Sequence, residues 1–429
     1  MIKRPFLGFT RPKLTTPVPF GQKEDQVVRE APLPGKVTLV LPSPAAGCEA
    51  LLIKQGDRVK TGQKVLLMEE NEAFMVSTVT GTIADISEHT GYLGRISTSV
   101  TIDVDEKDDR DNTFKEFDKT DALETARQFL GSLPGAPDFN ALFNRESPLE
   151  TFVITGIDRE PMVTTNRLLL KTDFEGLVDG INCLKNMISV DKILLVVPPE
   201  TALSAEKTGV QVNALEPTYP NTLPEMIMKD CLGKIAPAGK GCEDVGVGFM
   251  SAEAVIALGK ALSKGEIPVD KMLTLITKDG KSLHVKARIG TQIRDILDLA
   301  GVEVKHGDRL VLGGPMGGRA VYSEETPILA DTDAIMVQDA DRIVLNLDIP
   351  CVNCGECVRA CPAQIPVNML IRLLENGLYE DAAEEYDLLS CIECGLCSYV
   401  CVARIPIFHY IMLGKSEITR IQAAEESYA

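Results

Sequence analysis

The chain has 429 residues, which at roughly 150 per domain is enough for several folded units and excludes a single small domain. Its formal net charge of −18 argues against a nucleic-acid partner, whose phosphates require a basic surface. With 45% hydrophobic and 25% charged residues the composition is that of an ordinary globular protein, and no apolar run approaches the roughly 18 to 20 residues that span a bilayer.

The first residues are basic but lead into Pro12, Lys13 and Pro17 rather than into an apolar signal core, so a cytoplasmic protein is expected, with 1–32 as an extended arm. Thiols stay reduced in that compartment, and twelve cysteines there point to ligand roles more than to disulfides. From 33 to 105, strand-like runs at 37–41, 65–68 and 82–86, broken by Gly47, Gly56, Gly62, Gly81, Gly91 and Gly94, predict a small all-β module. Within it, Gly56-Asp57 followed by Gly62-Gln63 and Gly81 resembles the barrel-sandwich hammerhead of biotinyl and lipoyl carriers. Those carriers need an acceptor lysine at a hairpin tip. The corresponding stretch is Glu70-Asn71-Glu72-Ala73-Phe74, so the module is expected to pack rather than to swing a cofactor.

Residues 106–150 read as a solvated linker, charge-dense up to Asp121, together with a sparse glycine loop. From 151 to 268, apolar runs at 152–154 and 193–197 alternate with amphipathic stretches at 174–187 and 251–263, predicting an α/β sheet. Residues 269–340 follow as an α+β unit: strands at 271–276 and 283–287, a helix at 293–300 and a strand at 309–312. The run Gly313-Gly314-Pro315-Met316-Gly317-Gly318 lacks the lysine and the opening helix of a phosphate loop and reads as a turn.

Residues 341–429 carry the chemistry. Cys351, Cys354, Cys357 and Cys361 follow a Cys-x2-Cys-x2-Cys-x3-Cys-Pro pattern, and Cys391, Cys394, Cys397 and Cys401 repeat it forty positions later. Gly355 recurs as Gly395, Ala363 as Ala403, and Ile365-Pro366 as Ile405-Pro406. Three cysteines at this spacing put three thiolates on one tight loop, while the fourth lies around the following helix and in such runs ligates the other cluster. Two [4Fe-4S] clusters are expected, one on Cys351, Cys354, Cys357 and Cys401, the other on Cys391, Cys394, Cys397 and Cys361. Zinc also uses paired Cys-x2-Cys sites, but four cysteines in one short run, twice, is an iron–sulfur pattern. Between the copies, 367–375 and 379–389 predict two helices separated by Gly377, an α-helical ferredoxin arrangement. Cys48, Cys183, Cys231, Cys242 and the four histidines receive no role.

This module order, with Arg159-Glu160-Pro161, Leu312-Gly313-Gly314-Pro315-Met316 and Cys391-Ile392-Glu393-Cys394-Gly395, resembles the RnfC family, one of the components of the Rnf electron transport complex. The resemblance implies a lipoyl-like β module, an α/β domain like the flavoprotein subunit of respiratory complex I, an SLBB-like β-grasp unit and a ferredoxin tail. It further implies a peripheral subunit on the cytoplasmic side of the inner membrane, partnered by other subunits of the complex and by ferredoxin, with electrons passing between ferredoxin and NAD.

Two departures stand out. Where the resemblance places a glycine-dense loop around FMN, this chain has Gly131-Ser132-Leu133-Pro134-Gly135-Ala136-Pro137-Asp138-Phe139, whose prolines remove amide donors and whose aspartate adds an anion. A weakened or absent FMN and NADH site is therefore expected. Val402 replaces the proline that would follow the last cysteine. Two readings compete with the electron-transfer subunit: an assembly or docking subunit whose clusters are structural, and a soluble carrier serving another reductase.

Overall fold

The computed structural model describes residues 14–15, 27–41, 51–68, 73–117, 121–139, 148–346 and 349–428. Cys48, most of the expected arm and the Glu70 to Glu72 tip lie outside them. The chain forms two compact units. The larger combines Pro17–Pro217 with Cys242–Arg342, and the smaller combines Met1–Thr16, Thr218–Gly241 and Ile343–Ala429.

The larger unit holds three main sheets. In the first, antiparallel, the order is Lys36–Leu41, Ile96–Val104, Gly81–Thr90, Arg58–Val59, with a separate hairpin of Lys64–Leu66 and Phe74–Val76. Alternate residues of the first strand, Val37, Leu39 and Leu41, turn inward onto Ile83, Val100 and Ile102, as a half-buried strand requires. The charge-dense stretch is exposed over 106–110, as its composition implies, and is tied down at single points. Asp108 accepts hydrogen bonds from Thr61 and from Arg288, and Phe114 is buried beside Phe129.

The second sheet is parallel, ordered Gln211–Ala214, Lys192–Val197, Thr151–Thr155, Val247–Ser251. Its central strands are apolar along their length because helices cover both faces. Helices Phe174–Met187 and Ala252–Lys264 meet at a glycine contact: a Cβ on Gly180 would lie 2.0 Å from the Val255 carbonyl oxygen. The third sheet has six strands, in the order Arg319–Val321, Arg309–Leu312, Ala334–Gln338, Asp270–Ile276, Ser282–Arg288, Val28–Glu30. Helix Ile293–Ala300 buries Ile293, Ile296 and Leu297 on it, the i, i+3, i+4 face. The last strand belongs to the stretch read as an arm; it pairs in parallel with the His284 strand.

The smaller unit is mainly helical: Glu356–Ala360, Val367–Leu374, Tyr379–Glu384, Leu396–Val400 and the long Ile407–Tyr428. Its core seam on the second helix is Val367, Leu370, Ile371 and Leu374, meeting Leu388, Ile411 and Ile418. Met369 and Leu373 are half-buried at its edge. Among the described residues no helix is long and apolar enough to cross a membrane.

Candidate metal centre

The two cysteine runs fold alike down to single backbone angles. Asn353, Gly355 and Gln364 have φ of 53°, 75° and 61°, and their counterparts Glu393, Gly395 and Arg404 have 56°, 68° and 54°. The left-handed glycine in each copy swings the loop round so that a short helix starts immediately and carries the third cysteine on its first turn. A Cβ on Gly355 would meet nothing closer than Arg359 at 3.8 Å, so among the protein's own atoms the turn, more than lack of space, calls for glycine.

Close packing of the helices Glu356–Ala360 and Leu396–Val400 exchanges the fourth thiols. Cys351, Cys354, Cys357 and Cys401 line one cavity, together with Val402, Ala403 and Ile405. Cys361 sits with Cys391, Cys394 and Cys397, near enough to act electrostatically on all three. All eight predicted residues thus fall into two sets of four, each drawing its fourth member from the other run.

The sets differ in exposure. Cys354 of the first set is exposed, whereas Cys394 and Cys397 of the second are buried. Burial pushes the thiols of Cys357 and Cys391 up to about 11 and that of Cys394 to about 12, against partial relief from the backbone amides of Val358, Glu393 and Leu396. Without a metal these sulfurs keep their protons; metal binding would displace them. The same amides supply the N–H···S bonds that tune a cluster once thiolates are formed. Among the described residues no three His, Cys, Asp or Glu side chains close on a point as a single ion would require.

Two side chains that the sequence reading missed hold the second loop. The hydroxyl of buried Tyr219 donates to the Cys394 carbonyl at 2.6 Å, and the Gly239 amide donates to the Leu389 carbonyl at 3.3 Å. Lys415, on the long last helix, donates to the Cys391 carbonyl at 2.8 Å and to the Glu393 carboxylate at 2.7 Å. Neither residue lies near a cysteine in sequence, and no local pattern marks either.

A second region bears on the expected nucleotide site. In an open parallel sheet, ligands bind beyond the carboxyl ends of the strands where the order reverses, here Thr155 and Ser251. That place is occupied by the chain itself. Gly135 (φ 84°) packs so that a Cβ would fall 2.6 Å from the Ser251 hydroxyl; its amide donates to the Ala330 carbonyl, and Ala136 donates to Leu133. Pro134 and Pro137 have no amide hydrogen. At the start of helix Ala252–Lys264, the Glu253 and Ala254 amides are taken by Asn166 Oδ1 and Ser251 Oγ.

Beneath it, the ammonium of fully buried Lys271 bridges the carboxylates of Glu253 and Asp333. The Gly313 to Gly318 turn does cradle an anion, but an internal one: the Glu160 carboxylate accepts from Met316 N at 2.9 Å and Gly317 N at 3.0 Å. The residues present do not fit a flavin phosphate.

Residues 342–402 match the 4Fe-4S dicluster domain and residues 19–107 the RnfC Barrel sandwich hybrid domain, which defines the class: a barrel-sandwich module joined in one chain to a dicluster tail. More particularly, the chain is similar to the C subunits of ion-translocating oxidoreductase complexes. It is 29% identical over 414 residues to the corresponding component of the proton-translocating ferredoxin:NAD(+) oxidoreductase complex of Clostridium ljungdahlii, covering 90% of this chain and 89% of that one. It is 27% identical over 431 residues to its counterpart in the ion-translocating oxidoreductase complex of Klebsiella pneumoniae, covering 95% of this chain but only 57% of that one. A chain of an NAD+-reducing [NiFe]-hydrogenase superposes with a TM-score of 0.46 at 14% identity, covering 72% of this chain and 62% of that one, a likeness too low to carry an argument.

Proposed function

We propose that the chain is the peripheral electron-transfer subunit of an Rnf-type ion-translocating oxidoreductase complex, on the cytoplasmic side of the membrane. In this reading Cys351, Cys354, Cys357 and Cys401 hold one [4Fe-4S] cluster, and Cys391, Cys394, Cys397 and Cys361 the other. The observation that supports it is the grouping of Cys351, Cys354, Cys357 and Cys401 around one cavity and of Cys361 with Cys391, Cys394 and Cys397. Such clusters supply one-electron transfer without a proton.

The chain's residues do the rest. The left-handed turns aim the thiols inward, the buried helices fix the two cages beside each other, and the exposed Cys354 edge leaves the first open to a redox partner such as ferredoxin. The donor-poor loop at 131–139 packs its Gly135 against Ser251, and Asn166 caps the Glu253 amide, which supports leaving FMN and NADH out of this proposal. Iron, sulfide and flavin analysis of one anaerobically purified sample tests it. Iron and sulfide for two clusters and no flavin are expected; a colourless zinc protein, or an equimolar flavin, would overturn the respective part.

A further inference from the structure

The two cysteine loops match in sequence and backbone, yet the charges behind them differ. At the position of Glu393 the first loop has Asn353, whose side-chain oxygen accepts from Asn368 at 2.9 Å. The cation nearest that loop, Arg359, donates to the Cys354 carbonyl at a long 3.4 Å and pairs with Glu356 at the surface, where its side chain is 58% exposed and water screens it. Behind the second loop the Lys415 side chain is 20% exposed and seats its ammonium on the carbonyl of Cys391 itself, with Glu393 as counter-ion. Tyr219 pins the neighbouring Cys394 carbonyl, so this loop is held from two sides.

We infer that the Lys415–Glu393 pair sets the reduction potential of the second site separately from the first, Lys415 raising it and Glu393 lowering it. The inference rests on the reading of the eight cysteines as two cluster cages. Reduction brings one electron from a one-electron donor into the four-thiolate cage and no proton. The added negative charge is favoured by a nearby cation and disfavoured by an anion. Partial burial keeps both effects from being screened away. The pair is therefore a positioning and tuning device. It touches the loop backbone and not the electron's path, and it would make the two sites inequivalent although their ligands are duplicated.

The test is a potentiometric titration of the full chain, purified anaerobically with its iron and sulfide counted, using dithionite as reductant and electron paramagnetic resonance as readout. Cys354→Ser identifies the wave that belongs to the first loop. Lys415→Met is expected to lower the other wave by a tenfold shift in its reduction equilibrium, 59 mV for one electron. Glu393→Gln is expected to raise that wave, and the first-loop wave should stay in place in both variants. Unmoved potentials in both variants, or equal movement of both waves, would overturn the inference. Should Lys415→Met lose iron, Glu393→Gln decides alone, an upward shift supporting and no shift refuting. A parent protein without iron and sulfide sinks the two-cluster reading itself, whereas a full complement with unshifted waves sinks only the tuning.

Discussion

Replacing Tyr219 with phenylalanine removes one oxygen and nothing else. The ring stays, so the buried volume it fills is unchanged and no cavity opens. What goes is a 2.6 Å hydrogen bond from a side chain only 2% exposed to the carbonyl of Cys394. Losing such a bond in a water-excluded position costs about 1–2 kcal/mol, roughly a 5- to 30-fold change in an equilibrium. Because Cys394 lies between Cys391 and Cys397, that energy is charged against the loop that closes the second cage. Iron should leave that cage faster by about the same factor. The assay is the anaerobic bleaching of the visible iron–sulfur band in excess chelator, parent against Tyr219→Phe, with circular dichroism to show that the fold persists. Two phases are expected, with one accelerated and the other unchanged. Identical bleaching in parent and variant would refute the claim that Thr218–Gly241 stabilises the metal loop.

Cys361→Ser should empty the cage of Cys391, Cys394 and Cys397 before that of its own sequence neighbours, with a loss beyond the roughly 10- to 100-fold that a supporting residue costs; resonance spectra of the two sites decide, and first loss from the Cys351 loop would disprove the exchange. Asp158, which accepts from the Asn166 and Arg167 amides, is pushed by burial up to about 7 from 3.8. A carboxyl whose folded value lies above its unfolded one binds more protons when folded, so its contribution is fully present below about 4 and is lost as pH rises through 7, by at most about 4 kcal/mol. Asp158→Asn should flatten that slope, as denaturant unfolding at pH 5 and pH 8 would reveal; an unchanged slope would disprove it. Gly180→Ala drives a methyl to within 2.0 Å of a backbone oxygen and should destabilise the α/β region by about 3 kcal/mol, read as a lower denaturation midpoint.

Local pattern carried much of this fold. Helices Phe174–Met187 and Ile293–Ala300 and strand Arg309–Leu312 fall where apolar periodicity and flanking glycines place them. The cysteine ladder is legible for the same reason, since its spacing is itself the geometry of a loop. The rest depends on partners remote in sequence. Tyr219 meets Cys394 across 175 positions, and Glu160 reaches the amides of Met316 and Gly317 across more than 150. No window of neighbouring residues contains either pairing. The charged stretch after Glu106 is exposed as its composition implies, but composition does not show that Arg288 waits opposite Asp108. The proline-broken loop at 131–139 was readable as poor in donors, but only the contact with Ser251 shows that the chain itself fills the space.

Trading the fourth thiol between the runs has a consequence for how the protein is made. As the chain is synthesised, the first loop emerges with three of its sulfurs more than forty positions ahead of Cys401, and Cys361, the fourth thiol of its own run, precedes the partner loop that begins at Cys391. In the proposed ligation neither centre can be finished within its own run, and a product cut short just before Cys401 has the second set of four complete and the first one thiol short.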